Sequence, residues 1–364
     1  MNFFKEISTK AKVWGRERHR WSAVKTGSSP RVFYGFDNIG SRESVVTGGI
    51  VKVQDLQKIF PNCTETPNLL YLVSSSMPPY APLMAEMAKR HGARFVLNQN
   101  GVAYPAWHGA GWEKTNVSNR LLVQSADHVI YQSHFCKNAA DRFLGTCRGS
   151  WEILHNPVDT RSFRPSPVLP RTPLILLQAG THGCFYRVET AVRTLHELNK
   201  RGVDVRLLIA GRYNWRPRES DALAELNELA QSLGVALLMD CRGAYSQNEA
   251  VRLFQSAHIL LHTQYNDCCP RLVVEAMASG LPVVYSSSGG TPELVGNEGG
   301  VGVPVELSWE RAIPPGVKEL ADAVIQVYET YGKYSASALD RSRRLFDVEK
   351  WMDRHDKMFK SYFL

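Results

Sequence analysis

Seven residues separate two carboxylates, Asp267 and Glu275, in the stretch 266–294, NDCCPRLVVEAMASGLPVVYSSSGGTPEL. An apolar run at 257–262 precedes it, so 267–271 is expected to be a strand-end loop and 271–279 a helix. The first amides of a helix lack internal partners and carry positive partial charge, which suits an anion such as a diphosphate. Leu272, Val273, Ala276 and Met277 take the sheet-facing side, leaving Glu275 to point elsewhere, into a cleft. Gly280-Leu-Pro stops the helix and 282–285 returns to the sheet. Ser286-Ser-Ser-Gly-Gly-Thr then brings small hydroxyls and freely turning backbone to the next strand end, suited to another phosphate or sugar contact.

A second constellation is Pro105-Ala-Trp-His108-Gly-Ala-Gly-Trp, after an expected strand at 93–98. Aromatic faces stack on sugar rings while His or Trp N–H groups donate, so His108 is a candidate active-site residue. The alternative is an ordinary loop histidine.

The elements that must position these groups alternate. Strands are expected at 31–35, 68–74, 93–98, 127–131 and 151–155, with helices at 50–59, 79–90, 116–125 and 133–143. Four prolines within 164–173 then read as a linker. Beyond it, strands at 174–178, 205–210, 235–239, 257–262 and 282–285 alternate with helices at 188–201, 219–233, 246–256 and 271–279. Terminal helices come last, at 316–330 and 335–364. The pattern predicts an α/β protein with two Rossmann-like parallel-sheet domains facing across a cleft. The expected division is a basic N-terminal segment (1–30), an acceptor domain (31–165), a donor domain (166–345) and a C-terminal helix (346–364) returning to the first domain.

The chain has 364 residues, 44% of them apolar, enough for two cores. No run approaches the roughly 18 apolar residues that cross a bilayer, and 1–21 lacks a signal-peptide core, so a cytoplasmic location is the default. Seven scattered cysteines without a CxxC support neither a disulfide scaffold nor a zinc site. Residues 1–31 hold eight Lys and Arg against two Glu, most of the net charge of +8, interleaved with Phe3, Phe4, Ile7, Val13, Trp14 and Trp21. Such a segment could lie on an anionic membrane surface or be a solvated leader; its apolar positions form no clean helical stripe. The basic excess is local, and no nucleic-acid partner is expected.

The stretch Glu275–Glu293 resembles the retaining glycosyltransferases with two Rossmann-like domains, the glycosyltransferase family 4-like group of GT-B fold. The family's pattern is acid-Gly-Phe-Gly…Glu-Ala-Met-Ala-x-Gly-x-Pro-Val-Val…Gly-Gly-x-x-Glu. Here Asp267 replaces the usual Glu, and Cys268-Cys269-Pro270 replaces Gly-Phe-Gly. The resemblance covers about 30–345, strongly in the second half; Asn156-Pro-Val-Asp159 stands where the family has Asn-Gly-Val-Asp. It implies that Glu275 binds the donor ribose and Asp267 the hydroxyls of the transferred sugar, since a carboxylate can accept two hydroxyls of a diol. Cys269, Arg271, Ser288, Gly289, Gly290 and Thr291 would lie near the donor, as would the glycine turn Gly48-Gly49. Arg187 approximates the family's diphosphate lysine, the other reading being a surface arginine at a helix start; Arg212 and His182 are weaker candidates. The implied reaction is hexosyl transfer from a nucleotide diphosphate sugar to a carbohydrate or lipid-linked acceptor, with retention and no bound metal. Epimerisation or phosphorolysis on the same fold, or a catalytically silent sugar-nucleotide-binding or membrane-binding partner, remain the alternatives.

Overall fold

The computed structural model describes residues 3–22, 24, 29–43, 46–166 and 172–364, the first six of these by their backbone alone. The side chains of Phe3, Phe4 and Ile7, and the linker positions 167–171, therefore lie outside the described residues. Two compact units result: Met1–Arg42 with Val46–His155 and Glu349–Leu364, and Glu43–Val45 with Asn156–Val348.

Unit one runs α1 (Phe3–Ser22), β1 (Val32–Phe33), α2 (Gly48–Leu56), β2 (Leu69–Val73), α3 (Ala81–Arg90), β3 (Arg94–Gln99), α4 (Pro105–His108), α5 (Trp112–Ser125), β4 (His128–Tyr131), α6 (His134–Phe143) and β5 (Ser150–Ile153). Its strands form one parallel sheet in the order β1-β2-β3-β4-β5. All five residues of β2 are buried, as expected of a parallel strand covered on both faces.

Helix α1 is one continuous 20-residue helix, and its last turns are built into this unit. Trp21 is fully buried, edge-on to Phe33 at 6.2 Å. The buried carboxylate of Glu17 accepts from Trp21 Nε1 at 3.1 Å and Arg20 Nη1 at 2.8 Å. Arg20 also pairs with Asp37, donates to the Thr64 carbonyl at 2.7 Å and lies over the Phe33 ring. The end of the segment, Glu17 to Trp21, is thus packed into the first unit, while most positions from Thr9 to His19 are exposed. Trp21 is unavailable to a membrane surface, because its indole N–H and ring face are already used inside the protein.

Unit two continues with β6 (Leu174–Ala179), α7 (Phe185–Lys200), β7 (Val205–Ala210), α8 (Glu219–Ser232), β8 (Met239–Arg242), α9 (Gln247–Gln255), β9 (Ile259–His262), α10 (Arg271–Ala278), β10 (Val283–Ser287), α11 (Thr291–Val295), β11 (Gly300–Pro304), α12 (Val317–Glu329) and α13 (Tyr331–Leu345). The last helix, α14 (Val348–Ser361), belongs almost entirely to unit one. There Trp351, Met358 and Phe359 join Val32, Tyr71, Val96 and Ile130 in the core. Unit two's sheet is also parallel, ordered β11-β10-β9-β6-β7-β8. The strand order reverses between β6 and β9, and ligands of such sheets bind beyond the carboxyl ends of the strands at that point.

Two expected elements are corrected. The apolar run 235–239 is a short 3-10 turn (Ala236–Leu238) followed by an edge strand shifted to Met239–Arg242. Only Val235 of that run is fully buried, and Leu237 is 94% exposed, so apolarity there does not mark a core strand. The single helix expected over 335–364 breaks at Phe346-Asp347. Phe346 is buried and its carbonyl accepts from Val158 N, while Val348 N donates to the Val158 carbonyl, a pairing a continuous helix could not make. Among the described residues no helix is long and apolar enough to cross a membrane.

Candidate functional site

In unit two the carboxyl ends of β6 and β9 bring together residues far apart in sequence. Arg187 lies in the first turn of α7 and is only 4% exposed. Its Nη1 donates to the Thr181 carbonyl and its Nη2 to the Ala179 carbonyl, both at 2.7 Å, which fixes the plane of the guanidinium. It is not the surface arginine that a helix start allows. Burial pulls its pKa down; Asp267, then Tyr186 and Tyr245, oppose this as nearby negative or ionisable groups.

Asp267 follows β9 on a tightly held loop. Its carbonyl accepts from Gly290 N at 2.7 Å, and a Cβ on Gly289, whose φ is +69°, would overlap that carbonyl oxygen. Only glycine fits there. Asn266, itself at φ +50°, donates its backbone N–H to Ser288 Oγ at 2.8 Å and its side-chain amide to the Ser308 carbonyl at 3.1 Å. The buried Ser288 hydroxyl, also 3.0 Å from Ser286 Oγ, is therefore occupied in holding the loop. Thr291 is fully buried. The run 288–291 positions Asp267 more than it displays hydroxyls.

Helix α10 opens with Pro270 at its cap and no side-chain cap; Val273 N donates to the Pro270 carbonyl at 3.1 Å, and the positive end of the helix favours an anion. Cys269 is buried, its carbonyl accepting from Asn156 Nδ2 at 2.6 Å. Glu275, one turn into the helix, is 5% exposed. Its Oε1 accepts from Arg271 Nε at 2.8 Å and Gln247 Nε2 at 3.0 Å, while Oε2 has no partner among the described residues. Tyr245 feels both Glu275 and Arg187, linking the two halves of the cluster electrostatically.

Other expected residues stand elsewhere or serve differently. His182 is buried beside the Tyr213 ring (5.3 Å) with Nε2 3.3 Å from the Ala210 carbonyl. Burial, then Arg187, holds it neutral, so it pins the loop after β6 rather than carrying charge. Arg212 is exposed after β7. In unit one, His108 ends α4, exposed, with Nε2 2.9 Å from Thr115 Oγ1, beside Trp107 at 45% exposure. Gly48 begins α2 with open space where a Cβ would be, whereas Gly49 packs against Ser75 and Ser76. No cluster of three or more metal-ligating side chains occurs among the described residues.

Sequence reasoning missed Tyr186, Tyr245, Gln247 and His262. The Tyr186 hydroxyl accepts from Tyr265 N (3.1 Å) and Gln264 Nε2 (2.9 Å), and burial pushes its pKa up to about 12. The one available signal was His262 itself, a polar residue closing the buried run Ile259-Leu-Leu.

The chain is similar to known proteins in sequence and in fold. A family profile described as "Glycosyl transferases group 1" matches residues 159–336. The chain is 26% identical over 218 residues to the D-inositol 3-phosphate glycosyltransferase of Streptomyces avermitilis, covering 57% of this chain and 47% of that one. It is 27% identical over 263 residues to the GDP-mannose-dependent alpha-(1-6)-phosphatidylinositol monomannoside mannosyltransferase of Mycolicibacterium smegmatis, covering 65% and 64%. The chain thus spans about half to two thirds of the length of these relatives. Among solved structures, Anabaena HepE in complex with UDP and glucose superposes with a TM-score of 0.65 at 18% identity, covering 91% of this chain and 86% of that one.

Proposed function

Since residues 159–336 belong to the group 1 glycosyl transferases and the chain has the GT-B fold, we propose that it moves a hexosyl-type sugar from a nucleotide diphosphate sugar to a carbohydrate or lipid-linked acceptor, with retention at the anomeric carbon. One observation carries this reading: Asp267, Glu275 and Arg187 gather at the strand-order reversal of unit two, beside the uncapped start of α10.

The roles follow from the geometry. Glu275 Oε1 is taken by Arg271 and Gln247, so Oε2 is the oxygen offered to a ribose hydroxyl. Asp267 accepts from hydroxyls of the transferred sugar. Charge building on the departing diphosphate is met by the α10 amides and by Arg187. Two of the five guanidinium N–H bonds of Arg187 go to carbonyls and fix its plane, and Nε, which has no hydrogen-bond partner among the described residues, is one of the donors left for the diphosphate. The loop backbone at Cys269, Gly289 and Gly290 gives close approach to the donor, with Arg212 at its rim. His108 and Trp107 are assigned to the acceptor. The inositol- and phosphatidylinositol-directed names of the relatives support a polyol or lipid-linked acceptor. For such an acceptor, the exposed positions Lys10, Lys12, Trp14, Arg16 and Arg18 of α1 would meet an anionic membrane surface on its cytoplasmic face.

The test is a calorimetric screen of UDP-, GDP- and ADP-sugars, followed by turnover on polyol and lipid acceptors and determination of the product anomer. Binding of one donor class and a retained anomer are expected. An inverted product refutes the retaining route, donor binding without turnover makes the chain a silent sugar-nucleotide module, and no donor binding overturns the proposal.

A further inference from the structure

His262 closes β9, whose other residues, Ile259, Leu260 and Leu261, are fully buried and apolar. It is itself only 1% exposed. On packing grounds alone a leucine would serve better, because burying an imidazole costs free energy unless its N–H finds an acceptor. Nε2 stands 3.3 Å from Asp267 Oδ2, within ion-pair distance. Nδ1 has no hydrogen-bond partner among the described residues, and Nε2 stands beside Asp267 Oδ2 without the alignment of a finished hydrogen bond, which a rotation of the carboxylate would supply. Burial keeps the ring neutral; Asp267 works against this and Arg187 with it. These are the charged groups acting on the ring, one from the loop after β9 and one from α7.

A neutral imidazole has one N–H to give, and Asp267 is the charged acceptor within reach of Nε2. The backbone of Asp267 is already fixed by Gly290 and by the absence of a Cβ at Gly289, so rotation of the carboxylate is the remaining freedom. We propose that His262 is a positioning residue: its Nε2–H holds Oδ2 of Asp267 so that Oδ1 is presented to the transferred sugar. The sugar-facing role of Asp267 rests on the function proposed above, whereas the pairing itself does not. One Asp oxygen held and one offered would repeat what Arg271 and Gln247 do to Glu275.

Two measurements test it on the full chain. The first needs no substrate: ring 15N NMR of His262, assigned with His262→Gln, in the wild type and in Asp267→Asn. The wild type is expected as the Nε2–H tautomer, with ring frequencies displaced in Asp267→Asn; unchanged frequencies overturn the proposal. The second is steady-state kinetics. His262→Leu should lower kcat about 10-fold with donor KM little changed, and His262→Gln, which keeps an N–H at similar reach, should restore most of it. In an Asp267→Asn background His262→Leu should cost nothing further. Additive losses, or equal losses in both variants with lowered thermal midpoints, make His262 a packing residue and refute the assignment. Should the wild type show no turnover, the proposed function fails while the NMR result still decides the pairing.

Discussion

Glu275 offers the most demanding test, because its two oxygens are expected to serve two different ends. Oε1 closes a small network with Arg271 and Gln247, and the Glu275 side chain is 7% exposed. In Glu275→Ala the Arg271 guanidinium and the Gln247 amide lose this acceptor together. Removing one partner of a buried ion pair costs about 3–5 kcal/mol, and a single hydrogen bond to a charged group about 1.5–3. Arg271 retains some solvent access (11%), so we expect about 2–3 kcal/mol for the alanine variant. Glu275→Gln keeps an oxygen for both donors and should cost about 1 kcal/mol, the loss of charge assistance. The two variants therefore separate the network from the ligand. Denaturant unfolding should rank wild type, Gln and Ala in that order. Calorimetry with the best donor should show Glu275→Gln weakened about 10- to 100-fold, the worth of one hydrogen bond from a ribose hydroxyl to a carboxylate. A Glu275→Gln protein that binds and turns over donor like the wild type would refute the ribose assignment. An alanine variant of undiminished stability would refute the network.

Other parts of the molecule give further expected outcomes. Gly289→Ala should displace the Asp267 loop, since the new methyl overlaps the Asp267 carbonyl and φ is +69°; we expect about 1–2 kcal/mol of strain and at least a 10-fold loss of turnover. Gly48→Ala meets nothing within 4 Å and should leave stability unchanged, in contrast to Gly289→Ala, as thermal melts of the two variants would show. In unit one, His355 donates from Nδ1 to the Trp351 carbonyl (2.9 Å) and accepts from the Tyr71 hydroxyl at Nε2 (3.1 Å), and burial lowers its pKa from 6.5 to about 4. The unfolded chain takes up this proton first, so the stabilisation is full above about pH 6.5 and is lost as pH falls toward 4, about 3 kcal/mol in all. Thermal midpoints across that window should fall in the wild type and much less in His355→Gln; a flat wild-type profile would show that the ring is not held neutral.

The strands were legible because parallel strands covered on both faces read as short apolar runs: 68–74 and 205–210 bracket the observed β2 and β7 closely. The run 235–239 shows the limit, since its leucines fall in a 3-10 turn before the edge strand, where Leu237 faces solvent. Helix α1 failed for another reason. What docks it is the Glu17–Arg20–Trp21 cluster, which has helical i, i+3, i+4 spacing but is mostly charged, so no apolar stripe marks it. The same division holds at the site. Asp267 and Glu275 stand out by spacing within one segment, whereas Gln247, Tyr245 and His262 acquire meaning only from partners the fold supplies. Ser288 shows the converse: a hydroxyl of the right kind in the right place is spent on the backbone of Asn266.

Helix α14 also bears on how the protein is made. Trp351, Met358 and Phe359 complete a core otherwise built from the first 155 residues. On the ribosome the unit begun first is therefore the unit finished last. It must wait, with the surface around Tyr71 and Phe60 uncovered, while the whole of 156–348 is synthesised and folds. A chain stalled or terminated just after residue 348 would carry a finished second unit and an open first one, the kind of nascent product that chaperones and proteases recognise.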